Sequence, residues 1–219
     1  MRAGSAMVVT PTRRERQRAA TLDEIKAVAR SLMRQHGRHD LRFTNIAQQM
    51  GMSAPALYNY FADRDALIAA LTADAYRQLA AEVATAGEAC AGDDVGARWL
   101  AMATAYRGWA RREPEQFGLV FGPPVPRPER LGAPATQDAA PDAAAQLTAF
   151  FVRGDLLPAA SFHAMVQAWA TVHGFTCLEA CHHLDWLSDQ AREQLFSATV
   201  RAAALAAGIP AQDGGPSSR

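Results

Sequence analysis

Residues 43–67, FTNIAQQMGMSAPALYNYFADRDAL, constrain the fold more than any other stretch of this chain. Gly51 separates two short runs whose apolar side chains recur at helical spacing, and glycine accepts the backbone of a tight turn at low cost. Thr44 and Ser53 are predicted to cap the helices before and after that turn. The side chains predicted to face a shared small core are Ile46, Ala47, Met50, Leu57 and Phe61. The segment therefore predicts two short helices joined by a tight turn.

The rest of the chain also shows helical periodicity, and no segment reads as a convincing strand. A first helix is predicted over residues 14–35 because Leu22, Ile25, Ala29 and Leu32 fall on one face. The further helices are predicted at about 63–85, 97–111, 115–121, 142–153, 159–183 and 185–207. Together with the two helices around Gly51, they predict an all-α fold of about nine helices.

The domain organisation follows from the same pattern. Residues 1–13 are predicted to be a flexible basic arm, 14–62 a three-helix unit, 63–207 a larger helical domain and 208–219 a disordered tail. Residues 122–141 hold six of the 12 prolines, which predicts a loop because proline is excluded from helix interiors.

Charge is distributed unevenly along a chain whose overall net charge is zero. Residues 1–64 carry 11 basic and five acidic side chains, a net +6, whereas the other 155 residues carry 11 basic and 17 acidic ones, a net −6. A basic end next to an acidic remainder is the asymmetry expected when that end meets a polyanion. Arg13, Arg14, Arg16 and Arg18 extend this charge toward the predicted arm, from which they are expected to reach phosphates or a minor groove.

Several classes of protein are disfavoured by the sequence. No apolar run approaches the roughly 20 residues that span a bilayer, and the N-terminus lacks a signal-peptide core. Three cysteines in a chain of this length argue against a disulfide framework and predict a cytoplasmic location. No phosphate loop, nucleophile elbow or HExxH motif is present, so the sequence predicts neither an enzyme nor a cofactor.

The order and spacing of these residues resemble the TetR family of transcriptional regulators over residues 14–67. A weaker resemblance, carried by Trp169, His173 and Gly174, is to a subset of that family with a Trp–His–Gly pattern in its ligand-binding domain. The residues that carry the first resemblance are Ile25, Ala29, Gly37, Thr44, Ile46, Ala47, Gly51, Ser53, Leu57, Tyr58, Tyr60, Phe61, Arg64 and Leu67. The chain departs from the family pattern at Asp63, and Arg64 stands where lysine is usual.

The resemblance implies a helix-turn-helix head that binds a double-stranded DNA operator. The predicted recognition helix, residues 53–60, has no Arg, Lys or Gln, so base reading is expected to rest partly on Arg42 and Asn45. Tyr58, Tyr60, Arg64 and Thr44 are expected to contact phosphates. The full predicted DNA-binding set is Arg42, Thr44, Asn45, Ser53, Ala54, Pro55, Ala56, Tyr58, Asn59, Tyr60 and Arg64.

For the remaining domain, the resemblance implies a homodimer formed by the last two helices and a pocket for a small-molecule effector. Apolar faces for the dimer are offered by Phe162, Met165, Val166 and Trp169 and by Leu195, Phe196, Thr199, Val200 and Ala203. The predicted effector is apolar or aromatic. The predicted pocket residues are Met102, Tyr106, Trp109, Phe117, Phe121, Phe150, Trp169 and His173.

Two alternatives remain open at the level of sequence. The chain is expected to be a repressor, but an orphan regulator without a small ligand fits the same pattern. Trp169, His173, Cys177 and Cys181 follow one another at intervals of four, which offers ligand types suited to a metal or redox sensor. Core packing explains the same stripe, so no metal site is predicted.

Overall fold

The computed structural model describes residues 12–37, 41–90, 94–122 and 162–209, and these form α-helices joined by turns. The described residues contain eight helices, which agrees with the all-α prediction. They are α1 (Arg13–His36), α2 (Phe43–Met50), α3 (Ala54–Leu57), α4 (Arg64–Glu88), α5 (Val95–Arg112), α6 (Pro114–Phe121), α7 (Phe162–Ala180) and α8 (Asp189–Ala206). The chain divides into two compact units, Met1–Leu71 and Thr72–Arg219, called the head and the body below.

The head is built on α1, α2, α3 and the first two turns of α4. Its buried apolar residues come from every one of these helices, as the predicted apolar stripes require. Gly51 adopts the left-handed conformation with φ of 64° and ends α2, so the predicted glycine turn is confirmed. The buried residues of the head are Ile25, Ala29, Leu32, Met33, Leu41, Phe43, Ile46, Ala47, Leu57, Phe61, Leu67 and Leu71.

The helix predicted over residues 14–35 is observed as α1, which begins one residue earlier at Arg13. Arg13, Arg14, Arg16 and Arg18 therefore project from a helix and not from a flexible arm. Thr12 accepts a hydrogen bond from the backbone N–H of Glu15, and the Glu15 carboxylate accepts one from the N–H of Thr12. This reciprocal capping box satisfies two N–H groups that would otherwise have no intrahelical partner. It also extends the helix to the edge of the described residues.

The ends of the two short helices differ from the predicted ones. Thr44 does not cap α2, because the helix begins one residue earlier at Phe43, and its N-cap, Arg42, makes no side-chain capping bond. Ser53 is the N-cap of α3, as predicted, although its hydroxyl makes no capping bond. The α-helix ends at Leu57, and residues 58–60 continue as a turn in which Asn59 and Tyr60 donate to carbonyls three residues back.

The body packs α5, α7 and α8 around one apolar core to which α4 and α6 also contribute. Trp109 and Tyr106 are among its largest fully buried side chains. The last two helices differ from the predicted ranges because α7 ends at Ala180. His182 takes a positive φ of 62°, and the N–H of His183 donates back to the carbonyl of Leu178. This left-handed residue stops the helix, and α8 begins only after Ser188, whose hydroxyl caps it.

Some predictions fall outside the described residues. They are the flexible arm apart from Thr12 and Arg13, the loop at 123–141, the helix at 142–153 and most of the predicted tail. Within the ranges that the structure describes, no helix has the length and apolar character needed to cross a membrane.

Candidate DNA interface and effector site

The predicted DNA-binding residues lie at the surface of the head. Arg42, Thr44, Ser53, Pro55, Tyr58 and Asn59 are exposed, and the remaining five are partly exposed. The apolar residues between them, Ile46, Ala47, Leu57 and Phe61, point inward. Alternation of exposed polar and buried apolar positions on α2 and α3 thus places the predicted DNA-binding side chains at the surface of the head.

Tyr58 is the largest exposed side chain of this set, with 60% of its surface accessible. Its ring lies against Phe43 at a centroid distance of 5.1 Å and an angle of 59°, so the first residue of α2 supports the residue that follows α3. An aromatic ring held on one face, with a hydroxyl at its tip, is suited to donate to a phosphate oxygen.

Tyr60 is positioned by Arg18 of α1, for which the sequence predicted a contact with DNA. The guanidinium of Arg18 lies 5.1 Å from the centroid of the Tyr60 ring, and its Nη2 donates to the carbonyl of Asn59 at 2.9 Å. One cation therefore fixes both the ring of Tyr60 and the backbone of the turn after α3. The sequence placed Arg18 within the predicted helix at 14–35, but no local spacing indicated its contact with the turn after α3.

Arg64, at the start of α4, has a structural bond in addition to its predicted role. Its Nε donates to the carbonyl of Leu41 at 2.8 Å, which ties α4 to the segment before α2. The guanidinium is partly exposed. The predicted phosphate contact of Arg64 remains a prediction.

In the body, most of the predicted effector residues form one aromatic cluster around His173. The imidazole stacks on Trp169 at 5.1 Å with an interplanar angle of 8°, and it lies 4.7 Å from Phe121 and 6.1 Å from Phe117. Tyr106 contacts Phe117, Phe121 and His173 with centroids about 6 Å apart. Met102 and Trp109 are fully buried in the same core, and Phe150 lies outside the described residues.

The polar atoms at the centre of this cluster are bonded to one another. The Tyr106 hydroxyl lies 2.7 Å from Nδ1 of His173, and the Cys177 Sγ lies 3.3 Å from Nε2. Burial lowers the pKa of His173 and raises the pKa of Tyr106. Neutral imidazole with its proton on Nε2 fits both contacts, since the hydroxyl then donates to Nδ1.

The cysteine and histidine stripe is divided by the end of α7. Cys177 is half-buried beside His173, whereas Cys181, His182 and His183 are exposed in the turn that follows. Among the residues that the structure describes, no group of three His, Cys, Asp or Glu side chains is placed to hold a metal ion. Burial raises the pKa of the Cys177 thiol, which disfavours the reactive thiolate.

A buried ion-pair network was missed by the sequence analysis. Arg107 on α5 is 4% exposed, and its guanidinium binds Glu179 on α7 through two bonds of 2.6 and 2.7 Å. A third bond of 2.7 Å reaches Glu193 on α8, and the rings of Phe175 and Phe196 lie 5.5 and 4.5 Å from the guanidinium carbon. Helical spacing alone placed Arg107 on an ambiguous face of α5, so its partners on two distant helices had no sequence signal.

Next to this network lies a cleft of about 260 Å³ with a mixed charged and apolar lining. It contains none of the predicted effector residues. Its charged lining residues are Arg111, Glu179, Asp185 and Arg192. The aromatic cluster and the charged cleft are thus two distinct features of the body.

The last two helices expose apolar side chains that the body does not cover. Leu178 on α7 is 46% exposed, and Leu195 and Leu205 on α8 are 45% and 57% exposed. Ala198 and Ala202 lie between the two leucines at heptad-like spacing and are also exposed. Several residues predicted for the dimer, namely Met165, Phe196, Val200 and Ala203, are buried within the chain itself. Of that predicted set, Leu195 is the exposed member among the described side chains.

Two family models match the sequence, one over each unit. The model described as "Bacterial regulatory proteins, tetR family" matches residues 25–71. The model described as "Tetracyclin repressor-like, C-terminal domain" matches residues 99–203. The resemblance noted from the residues is therefore found independently at both ends of the chain. Membership of the Trp–His–Gly subset remains a prediction.

Curated relatives point to the same class of protein. The HTH-type transcriptional regulator Rv1816 of Mycobacterium tuberculosis (strain ATCC 25618 / H37Rv) is 35% identical over 118 residues, which cover 52% of this chain and 50% of that protein. The chain thus spans about half the length of this relative. The uncharacterized HTH-type transcriptional regulator Rv0681 of the same strain is 26% identical over 157 residues, covering 72% of this chain and 69% of that protein.

Solved structures share the fold. The crystal structure of SCO4313 has a TM-score of 0.69 and 29% sequence identity, and the match covers 89% of this chain and 98% of that one. The crystal structure of RolR in complex with resorcinol has a TM-score of 0.55 and 15% identity, with coverage of 92% and 98%. At that identity the second likeness concerns the fold alone.

Proposed function

The chain belongs to the TetR family of DNA-binding transcriptional regulators, and on that premise we propose that it is a homodimeric repressor released from its operator by a small effector. The operator is double-stranded DNA with two half-sites in pseudo-palindromic arrangement, because a two-fold dimer presents two identical heads. Repression is the simplest outcome, since a bound dimer blocks a promoter by occupancy alone.

The observation that carries the DNA-binding proposal is the supported, exposed surface of α2, α3 and the following turn. The ring of Tyr58 packs on Phe43, and the guanidinium of Arg18 lies over the ring of Tyr60. Both phenol groups are therefore already ordered, which lowers the conformational entropy that they lose on binding DNA. Arg42 and Asn45 flank the first turn of α2, where side chains and N–H groups meet phosphates or base edges in helix-turn-helix proteins. The net +6 of residues 1–64 supplies the attraction to DNA.

The dimer proposal rests on the uncovered apolar side chains of α7 and α8. Leu178, Leu195 and Leu205 are each about half exposed, with small alanines between the two leucines of α8. A second copy of the same two helices offers the same surface, which is how a two-fold interface pairs a patch with itself. Burying these side chains against a partner copy removes apolar area from water.

The effector proposal rests on the aromatic cluster around His173. Rings from α5, α6 and α7 meet there, and the imidazole is neutral at physiological pH because burial lowers its pKa. Aromatic and apolar side chains of this kind suit contact with a small apolar or aromatic molecule. The resorcinol complex of RolR shows that a protein of this fold holds a small aromatic compound, which makes resorcinol a sensible first probe.

Selection of bound DNA from a random library by the full-length protein tests the regulator proposal. We expect enrichment of an inverted repeat, and footprinting upstream of the chain's own gene should protect a matching site that overlaps the promoter. Enrichment of a single asymmetric half-site would contradict the dimer, and enrichment of no sequence would contradict the DNA-binding function.

Sedimentation of leucine variants tests the dimer separately. Leu195→Glu with Leu205→Glu should convert a dimer to a monomer, because buried unpaired carboxylates oppose association. Gln190→Glu, which adds one negative charge at another exposed position of α8, is a control for charge and should remain dimeric. A double variant that still sediments as a dimer would place the interface elsewhere.

A further inference from the structure

The tryptophans of the described residues differ in whether their indole N–H group has a hydrogen-bond acceptor. The N–H of Trp99 donates to the carbonyl of Val200 at 3.1 Å, and that of Trp186 donates to the carbonyl of His183 at 3.0 Å. The indole nitrogens of Trp109 and Trp169 are buried and have no hydrogen-bond partner. A buried donor without an acceptor is uncommon in native proteins, and a ligand atom is one of the few ways to satisfy it.

Trp169 is the unpartnered donor nearest to the aromatic cluster. Its ring stacks on His173, which in turn contacts Phe121, Phe117 and Tyr106. Trp109 lies on α5, three residues after Tyr106, and none of its surface is exposed. Both residues belong to the set that the sequence predicted for the effector.

The other polar groups of the cluster already have partners. The Tyr106 hydroxyl and the Cys177 thiol each contact one nitrogen of His173, which leaves the imidazole with both of its nitrogens engaged. The hydroxyl of Thr176, on the same helix, donates to the carbonyl of Val172. Among the described residues of the cluster, the groups left without a hydrogen-bond partner are therefore N–H donors. Transfer of a proton between a ligand and His173 would break the hydrogen bonds that His173 already makes.

We propose that the effector is an apolar molecule with a hydrogen-bond acceptor, such as a carbonyl or ether oxygen, which receives the indole N–H of Trp169. This inference rests on the proposed effector site and specifies its ligand class. An apolar compound without an oxygen leaves the donor unsatisfied and binds more weakly. A cationic group gains nothing from this N–H, because the donor proton carries a positive partial charge.

Matched pairs of ketone and hydrocarbon test this class without knowledge of the natural effector. The probes are acetophenone with ethylbenzene, 1-tetralone with tetralin and benzophenone with diphenylmethane, titrated by calorimetry into the full-length protein. For at least one pair the ketone should bind about three to ten times more tightly than its hydrocarbon, the factor that one hydrogen bond typically supplies. If no ketone outbinds its hydrocarbon, the proposal is wrong.

Trp169→Phe removes the N–H and keeps an aromatic ring. In this variant the ketone advantage should disappear, whereas the exposed control Trp186→Phe should retain it. An advantage that persists in Trp169→Phe, or that disappears only in Trp109→Phe, would overturn the assignment to Trp169.

Indole resonances of the unaltered protein provide a readout that does not depend on a variant folding. In ¹H–¹⁵N spectra, the Trp169 Nε1–H signal should move downfield when the ketone binds, because its proton enters a hydrogen bond. The signals of Trp99 and Trp186, which already donate to carbonyls, should stay in place. A Trp169 signal unmoved by a bound ketone would contradict the proposal. These measurements use no DNA, so a failure of operator binding leaves their result unaffected.

Discussion

The head and the body place the same residue types in opposite environments. In the head, Tyr58 is 60% exposed and its ring rests on one other ring, that of Phe43. In the body, Tyr106 is fully buried and its hydroxyl is bonded to His173. Arginine follows the same division, because Arg18 supports a surface turn whereas Arg107 is enclosed by two carboxylates and two rings.

This difference teaches how stability and recognition are separated along the chain. A surface group that is held from one side contributes little to folding, so its removal affects a partner more than it affects the fold. A buried polar group whose hydrogen bonds are all made within the chain contributes mainly to the free energy of unfolding. Its removal leaves the groups bonded to it without a hydrogen-bond partner. The following predictions test that separation, beginning with the largest expected effect.

Replacement of Arg107 by leucine should have the largest effect on stability. Glu179, whose side chain is 9% exposed, would lose both bonds from the guanidinium and remain as a buried charge. Removal of one partner from such a pair costs about 3–5 kcal/mol of unfolding free energy, which urea denaturation measures. Arg111→Leu, on the same helix and also bonded to Glu193, should cost less than about 1 kcal/mol because both side chains are exposed. Equal losses in the two variants would remove the distinction between buried and exposed charge.

Leu57→Ala should destabilise the head. Leu57 is 1% exposed, and the deletion of buried methyl groups costs about 2–5 kcal/mol through lost transfer energy and the cavity left behind. Gln49→Ala, at an exposed position of α2, is the control and should change the unfolding free energy by no more than about 0.5 kcal/mol. Hydrogen exchange of the head amides measures the loss directly. Unchanged protection in Leu57→Ala would show that the turn after α3 is stable without its apolar anchor.

Tyr58→Phe should affect DNA binding while leaving the fold intact. The substitution removes the exposed hydroxyl and keeps the ring that packs on Phe43. We expect operator affinity to fall by about three- to tenfold, the value of one hydrogen bond, with the midpoint of thermal unfolding unchanged. Fluorescence anisotropy on the selected operator measures the affinity. An equal affinity of the variant and the parent would mean that the hydroxyl contacts no phosphate.

The pH dependence of the Glu193 contribution should be the smallest effect. The hydrogen bond from Arg107 holds the pKa of Glu193 below its ordinary value. A lowered folded-state pKa contributes stability that is present above the unfolded value of about 4.3 and is lost as pH falls through the folded value. The difference in unfolding free energy between the parent and Glu193→Gln should therefore shrink below about pH 4.3. A difference that stays constant down to pH 3 would show that the carboxylate charge is not involved.

Local patterns predicted much of the head because its elements depend on neighbours in sequence. Gly51 requires a left-handed turn, and Leu57 and Phe61 share a helical face, so both features followed from spacing alone. The prediction that Thr44 caps α2 was wrong, because Phe43 is buried in the core of the head and belongs to the first turn of the helix. The helical placement of Arg18 followed from the helix predicted over residues 14–35, but its contact with Tyr60 did not.

In the body, the sequence by itself determined the helical class, the apolar stripes and the aromatic residues that meet around His173. Periodicity carries that information because it depends on residues three and four apart. Only the tertiary structure decided which partners enclose Arg107, which leucines stay exposed on α8, and which indole N–H groups lack an acceptor. Each of these depends on atoms brought together from distant helices, and no local spacing specifies such a contact.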